Sequence, residues 1–291
     1  MNFLNCKSFE IKKPENFDIS QIFDCGQCFR FDRVDENTYE GVASDRYVKI
    51  TQKRDKLVFY NTDEKEFQNF WADFFDLKTD YSEIIKSFAD DKTLSEAAKF
   101  AGGIRILRQE KWEALCSFII SQNNNIPRIK GIINRMSEKY GKEIFDDGKR
   151  KYYSFPDAKT LYKAGESEIF ALRTGFRAKY IYDAARTVSQ NPCFLCEVSK
   201  LDTKSASEKL IEIKGVGNKV AACTLLYGFA RHDAFPVDVW VKRILEKYYP
   251  DGATAHLCGE NAGIAQQYLF YYERCKNNVY INKLPEKSKE K

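Results

Sequence analysis

Two hydrophobic periods divide this chain, and the change from one to the other is the strongest constraint on its fold. From Cys28 to Tyr60, short β-favouring runs (FRFDRV, TYEGVAS, DRYVKIT, KLVFY) are separated by the polar turns DEN and QKRD. Period-two runs joined this closely predict an antiparallel meander. Residues 65–77 and 81–88 take helical spacing with aromatic faces, which are expected to pack against that sheet. From Gly102 onward the patterns are helical, over 111–121, 126–140, 157–164, 166–172, 178–189, 205–213, 219–229, 238–248 and 259–275. The expectation is an α+β fold. An N-terminal antiparallel sheet domain with packed helices (1–101) precedes a mostly α-helical domain (102–282), and a mixed-charge tail (283–291) is expected to fray.

Composition removes several classes. With 43% hydrophobic and 14% aromatic residues the chain can bury a core, so a disordered chain is excluded. The longest apolar stretch, 115–120, is broken by Ser117 and falls far short of the roughly 20 residues a bilayer crossing needs. The first residues, MNFLNCKSFEIKK, do not read as an export leader, so the expected location is cytoplasmic, or nuclear for a eukaryotic source.

Nine cysteines, an odd number, argue for free thiols in a reducing compartment. The two C-x-x-C pairs, Cys25/Cys28 and Cys193/Cys196, are too far apart for a compact zinc site, so neither a metal nor any other cofactor is expected. Only two histidines are present, which leaves carboxylate, lysine or thiol to carry any catalysis. Residues 1–100 hold 15 basic and 20 acidic side chains, against 32 and 22 in the remainder. A net-basic larger part leans toward an anionic partner, with nucleic acid the commonest.

The chemistry concentrates in LIEIKGVGNKVAACTLLYGFARHDAFPVDVWVKRIL, residues 210–245. A helix ends near Ile213, Gly215-Val216-Gly217 makes a tight turn, and a second helix starts near Asn218, giving a helix-hairpin-helix over 208–229. Such a turn directs backbone N–H groups at a phosphate without reading base sequence. Lys219 falls in the first turn of the second helix, where the dipole disfavours positive charge. An amine that spends part of its time neutral can attack carbon and form a Schiff base. Asp238 follows 19 residues later in Pro-Val-Asp-Val. It suits a helix N-cap, and beside Lys219 it supplies a carboxylate to stabilise positive charge on a sugar.

The run K-G-V-G-N-K-V-A-A-C followed by P-V-D-V resembles the helix-hairpin-helix glycosylase superfamily. Four further motifs resemble its 8-oxoguanine DNA glycosylase family: Gly26-Gln27 before Phe29-Arg30, Ser121-Gln122-Asn123-Asn124-Asn125-Ile126, Gly175-Phe176-Arg177-Ala178-Lys179-Tyr180, and Ala262-Gly263-Ile264-Ala265-Gln266 with Phe270. The similarity runs in order from about Cys25 to Cys275. It implies a bifunctional glycosylase and abasic-site lyase in which Lys219 attacks the anomeric carbon and Asp238 assists. The Gly26 carbonyl would read the protonated N7 of 8-oxoguanine. Gln266 would bond the polar edge of the flipped base, held between Phe270 and Cys223. Asn123 would fill the vacated space, Phe176 would wedge between bases, and Arg128 and Arg177 would contact the orphaned cytosine. Gly215, Val216, Gly217 and Trp240 complete the expected DNA contacts. The implied partner is double-stranded DNA containing oxidised guanine, bound by a monomer and away from membranes.

The chain also departs from the family pattern. Phe176 stands where many relatives have tyrosine, Trp240 where they have a phosphate-binding histidine, and Cys28 where they have serine. With Cys258 and Cys275 as its C-terminal cysteines, it lacks the four-cysteine iron–sulfur loop of some superfamily members. Two other readings stay open on sequence: a related glycosylase for another damaged base, and a non-catalytic DNA-binding hairpin protein.

Overall fold

The computed structural model describes residues 7–276. Five strands, β1 (Ser8–Lys12), β2 (Phe31–Asp35), β3 (Thr38–Ala43), β4 (Arg46–Gln52) and β5 (Lys56–Tyr60), form one antiparallel sheet in the order β1-β5-β4-β3-β2. The expected meander is β2 to β5. The edge strand β1 has only the short alternation Ser-Phe-Glu-Ile-Lys and is fixed by pairing with β5 across some 50 residues, so local pattern misses it.

Two apolar cores follow from the two periods. The sheet packs Tyr39, Val48, Ile50, Leu57 and Phe59 against Phe67, Trp71, Phe74 and Phe75. Those aromatics come from residues 64–74, a helix with a π-turn at Phe67–Trp71, and from its C-cap Phe75. The expectation for residues 65–77 therefore holds. That for 81–88 does not: in the helix Tyr81–Ser87, Tyr81 and Ile84 join the helical core, together with Leu94, Ala97 and Ala101 of Lys92–Ala101. Residues 81–101 thus side with the helices, Lys92–Ala101 packing on the late helix Ala262–Lys276.

The helical part contains Lys111–Ser121, Ile126–Tyr140, Ala158–Ala164, Ala178–Gln190, Thr203–Ile211, Asn218–Gly228 and Val239–Tyr248 near the expected spans. Two expected helices are interrupted. Residues 166–172 form Glu166–Ile169 and then a π-turn, Phe170–Thr174; residues 259–275 begin only at Ala262, after a separate turn of helix, Ala255–Cys258. The helices Ile19–Asp24 and Phe194–Lys200 and the hairpin Glu143–Asp146/Lys151–Tyr153 are additions that sequence pattern left out. The tail 283–291 lies outside the described residues. Among the described residues, no helix is long and apolar enough to cross a membrane.

Candidate active site

The hairpin is built by burying its own apolar residues. Leu210, Ile213 and Val216 are fully or nearly buried, which pins both helices and the turn to the core. Gly215 has φ +86°, and a Cβ there would fall 2.2 Å from Cγ of Tyr180, so the turn closes directly on a tyrosine ring. The Lys214 N–H donates to Asp183 Oδ2 at 2.9 Å, a second tie to the helix Ala178–Gln190. Val216 departs from its expected role. Its side chain is in the core and its N–H donates to the Ile213 carbonyl at 3.0 Å, so it offers a phosphate nothing. Exposed Gly217 caps the second helix without a side chain, leaving the first-turn N–H groups of Asn218–Gly228 open to an anion.

Lys219 is in that first turn. Its Nζ lies 3.3 Å from Ser121 Oγ and 5.4 Å from the centroid of the Phe118 ring. The Ser121 hydroxyl donates to the Phe118 carbonyl at 2.8 Å, so a lone pair on its oxygen faces the amine. Cys223, one turn on, is buried; burial pushes its thiol up, and the nearby Lys219 ammonium opposes that shift. Asp238 caps Val239–Tyr248, with Oδ1 accepting from the Val241 N–H at 2.8 Å. The bond uses one oxygen and fixes the carboxylate, while the other remains for chemistry.

Gly26, Lys219, Cys223, Asp238, Gln266 and Phe270 all line one open pocket with a cavity volume of about 60 Å³. They come from a loop, the hairpin, the Pro-Val-Asp-Val segment and the late helix, so only the tertiary fold unites them. Gln266 is 4% exposed and its Oε1 is buried without a partner. A buried unpaired acceptor is costly unless a ligand donor fills it. Phe270, one turn further along the helix, is half-buried beside it.

Sequence reading overlooked the frame behind these side chains. Gln267 Nε2 donates to the Cys25 carbonyl at 3.0 Å, and its Oε1 accepts from the Tyr227 hydroxyl. Gln27 is wholly buried, donating to the carbonyls of Ile22 and Arg105 and accepting from the Leu107 N–H. Gly26, at φ +83°, is therefore held between two glutamine anchors. Ser121 was visible as part of a motif, but Phe118, Tyr227 and Gln267 look like ordinary core residues in sequence. Burial pushes the Cys25 thiol up to about 12 and the Cys28 thiol higher still.

A second cluster lies at the exposed end. Asn123 sits at φ +47° with its side chain exposed, whereas Asn124 bonds the Ile120 carbonyl and Asn125 caps Ile126–Tyr140. Phe176 is 49% exposed, its ring 6.1 Å from that of Tyr180 in an edge-on arrangement. Arg128 is exposed beside Gly175.

Arg177 is 1% exposed, and its guanidinium donates to the carbonyls of Gln122, Asn123 and Thr174, which shapes the Asn123 loop. Trp240 is half-buried with Arg243 and Arg274 against its ring, at 5.6 and 6.0 Å to the centroid.

Residues 10–115 match the family described as 8-oxoguanine DNA glycosylase, N-terminal domain, and residues 116–256 match the HhH-GPD superfamily base excision DNA repair protein. The chain is 31% identical over 277 residues to N-glycosylase/DNA lyase OGG1 of Arabidopsis thaliana, spanning 86% of this chain and 76% of that one. A probable N-glycosylase/DNA lyase of Methanothermobacter thermautotrophicus is 30% identical over 229 residues, spanning 69% and 72%. Among solved structures, the 8-oxoguanine glycosylase/lyase of Clostridium acetobutylicum, bound to dsDNA with cytosine opposite 8-oxoG, superposes with TM-score 0.87 at 39% identity. It covers 95% of this chain and all of that one. A 3-methyladenine DNA glycosylase from Archaeoglobus fulgidus, at 19% identity and TM-score 0.72, shares the fold.

Proposed function

We propose, for a chain that belongs to the 8-oxoguanine DNA glycosylase family of the HhH-GPD superfamily, that Lys219 is the nucleophile and Asp238 its electrostatic partner. The protein is a bifunctional N-glycosylase and DNA lyase of base excision repair, acting on duplex DNA that carries 8-oxoguanine opposite cytosine. The observation that carries the residue assignment is the shared pocket, lined both by Lys219 and by Gln266, whose Oε1 is buried and unpartnered.

In this reading the damaged nucleotide leaves the stack and its base enters between Phe270 and Cys223. A guanine-type edge supplies N–H donors to Gln266 Oε1. The Gly26 carbonyl accepts from the N7–H that 8-oxoguanine has and guanine lacks, so the undamaged base meets acceptor against acceptor. Neutral Lys219 Nζ attacks C1′; the new C–N bond forms as the C1′–N9 bond breaks, and the base leaves with the electron pair and takes up a proton. Asp238 stabilises the positive charge that develops on the sugar. Loss of the ring oxygen from C1′ gives a Schiff base, whose C2′ proton is then removed while the C3′–O bond breaks, nicking the strand 3′ to the lesion.

Asn123, Arg128 and Phe176 serve the opposite strand, and Gly215, Gly217 and Trp240 the phosphates. The protein works as a monomer on chromosomal DNA, in the cytoplasm or, for a eukaryotic source, the nucleus. The test is incubation with duplexes carrying 8-oxoguanine opposite each of the four bases, with borohydride present, beside duplexes carrying alkylated or deaminated bases. Trapping and strand cleavage greatest for 8-oxoguanine opposite cytosine support the assignment. Binding without trapping would remove Lys219 from the chemistry, and preference for another lesion would overturn the roles of Gly26 and Gln266.

A further inference from the structure

The π-turn Phe170–Thr174 contains, one residue before its end, a residue whose backbone and charge are both unfavourably placed. Arg173 has φ 64° and ψ 30°, the left-handed region in which a Cβ crowds the following carbonyl, yet it is not glycine. Its side chain is exposed and makes no hydrogen bond or ion pair with the described residues. It also lies among like charges. Arg135, whose Nε donates to the Leu172 carbonyl at 3.0 Å, has its guanidinium pKa pushed down by burial and by the charges of Arg173 and Arg128, with Glu138 opposing. Arg128 is exposed and likewise makes no side-chain hydrogen bond, and buried Arg177 lies beneath it. Arg177 thus lies against exposed Phe176, Arg128 reaches the adjacent Gly175, and Arg128 and Arg173 both act on Arg135.

Such strain and repulsion persist where an external partner relieves them. We infer that Arg173 is a DNA-binding residue that grips a phosphodiester of the strand opposite the lesion, beside the Phe176 wedge. The inference rests on the reading above, in which this end of the molecule serves that strand. The left-handed turn carries the Arg173 side chain out of the helix and onto the surface shared with Arg128 and Arg135. A phosphate there neutralises the like charges and releases condensed counterions from the DNA.

The test compares wild type, Arg173→Gly and Arg173→Lys by thermal unfolding and by binding to a duplex with an abasic-site analogue opposite cytosine, across a salt series. Glycine relieves the backbone, so Arg173→Gly is expected to melt about 2 °C higher. Its affinity falls about 3- to 10-fold, and the slope of log affinity against log salt shrinks by about 1. Arg173→Lys keeps the wild-type slope and melting temperature. Replacing single phosphates of the opposite strand by methylphosphonate weakens wild type at one position at which Arg173→Gly is indifferent. Unchanged affinity and slope in Arg173→Gly, or sensitivity confined to the lesion-bearing strand, overturns the inference. So does a fall of melting temperature and affinity together, which marks a structural residue. If wild type neither binds nor cleaves 8-oxoguanine duplexes, the enzymatic reading fails as well, so the two failures are distinguishable.

Discussion

Gln267 reaches across 242 positions of sequence, its Nε2 donating to the Cys25 carbonyl at 3.0 Å while its Oε1 accepts from the Tyr227 hydroxyl. Gln266, its neighbour, lines the same pocket and has a buried Oε1 with no hydrogen-bond partner. One amide of the pair is bonded within the protein and the other keeps an unpaired oxygen. The difference arises because consecutive helical residues point about 100° apart.

Gln267→Leu keeps the volume but strands the Cys25 carbonyl and the Tyr227 hydroxyl. The expected loss is about 1–3 kcal/mol of stability. Excision of 8-oxoguanine is expected to slow by about 10-fold as the Gly26 carbonyl loses its support. Denaturant unfolding and single-turnover excision measure the two effects, and full activity in this variant would separate Gly26 from lesion reading.

Lys219→Gln removes the proposed nucleophile from beside Ser121. Borohydride trapping is expected to vanish and base excision to fall on the order of 10³-fold or more, while affinity for an uncleavable duplex stays within a few-fold of wild type. Excision at a rate near wild type would refute the role.

Gly215→Ala places a Cβ into Tyr180 at a φ that alanine resists. A loss of about 2 kcal/mol or more is expected, read as a drop in melting temperature. Gly217→Ala meets nothing within 4 Å at a φ of −103° and should change stability by less than about 1 kcal/mol. Similar stabilities for the two variants would contradict the observed packing.

Arg177→Lys cannot reproduce the fork that holds the carbonyls of Gln122, Asn123 and Thr174. A loss of about 1–3 kcal/mol is expected, together with weaker preference for cytosine opposite the lesion as the Asn123 loop slackens. A stable Arg177→Lys variant with lost preference would return Arg177 to direct base contact.

Burial pushes the Cys25 thiol from an ordinary 9 up to about 12. A folded-state value above the unfolded one means that the native state holds its proton longer. Its contribution is complete below pH 9 and declines as the pH rises toward 12. Buried Cys223 and Tyr227 are shifted the same way by desolvation. Unfolding free energy measured from pH 8 to 12 should fall, and fall less steeply in Cys25→Ala; a flat profile would show that the thiol is not desolvated.

Much of the site was legible because its chemistry is written in short runs. The hairpin glycines, Lys219 and Asp238 lie within 24 residues, and local backbone rules account for the turn and the two helix starts. Phe176 and Asn123 stand out through motif resemblance and prove to be exposed. The internal hydrogen bonds of Val216 and Arg177 were not legible, because nothing local distinguishes a free donor from one bonded to a neighbouring carbonyl. Strand β1 and the allegiance of residues 81–101 were missed for a related reason, since both are decided by partners far along the chain.

The sequence by itself determined the order of sheet and helices, the hairpin turn and the residue types available for catalysis, since these depend on side-chain period and backbone sterics within a few residues. Only the tertiary structure decided that Gly26, Lys219, Asp238 and Gln266 share a pocket, that Gln266 alone of its pair is left unpaired, and that Arg173 is exposed among like charges. Those are properties of distance and desolvation, which exist only once remote segments have packed together.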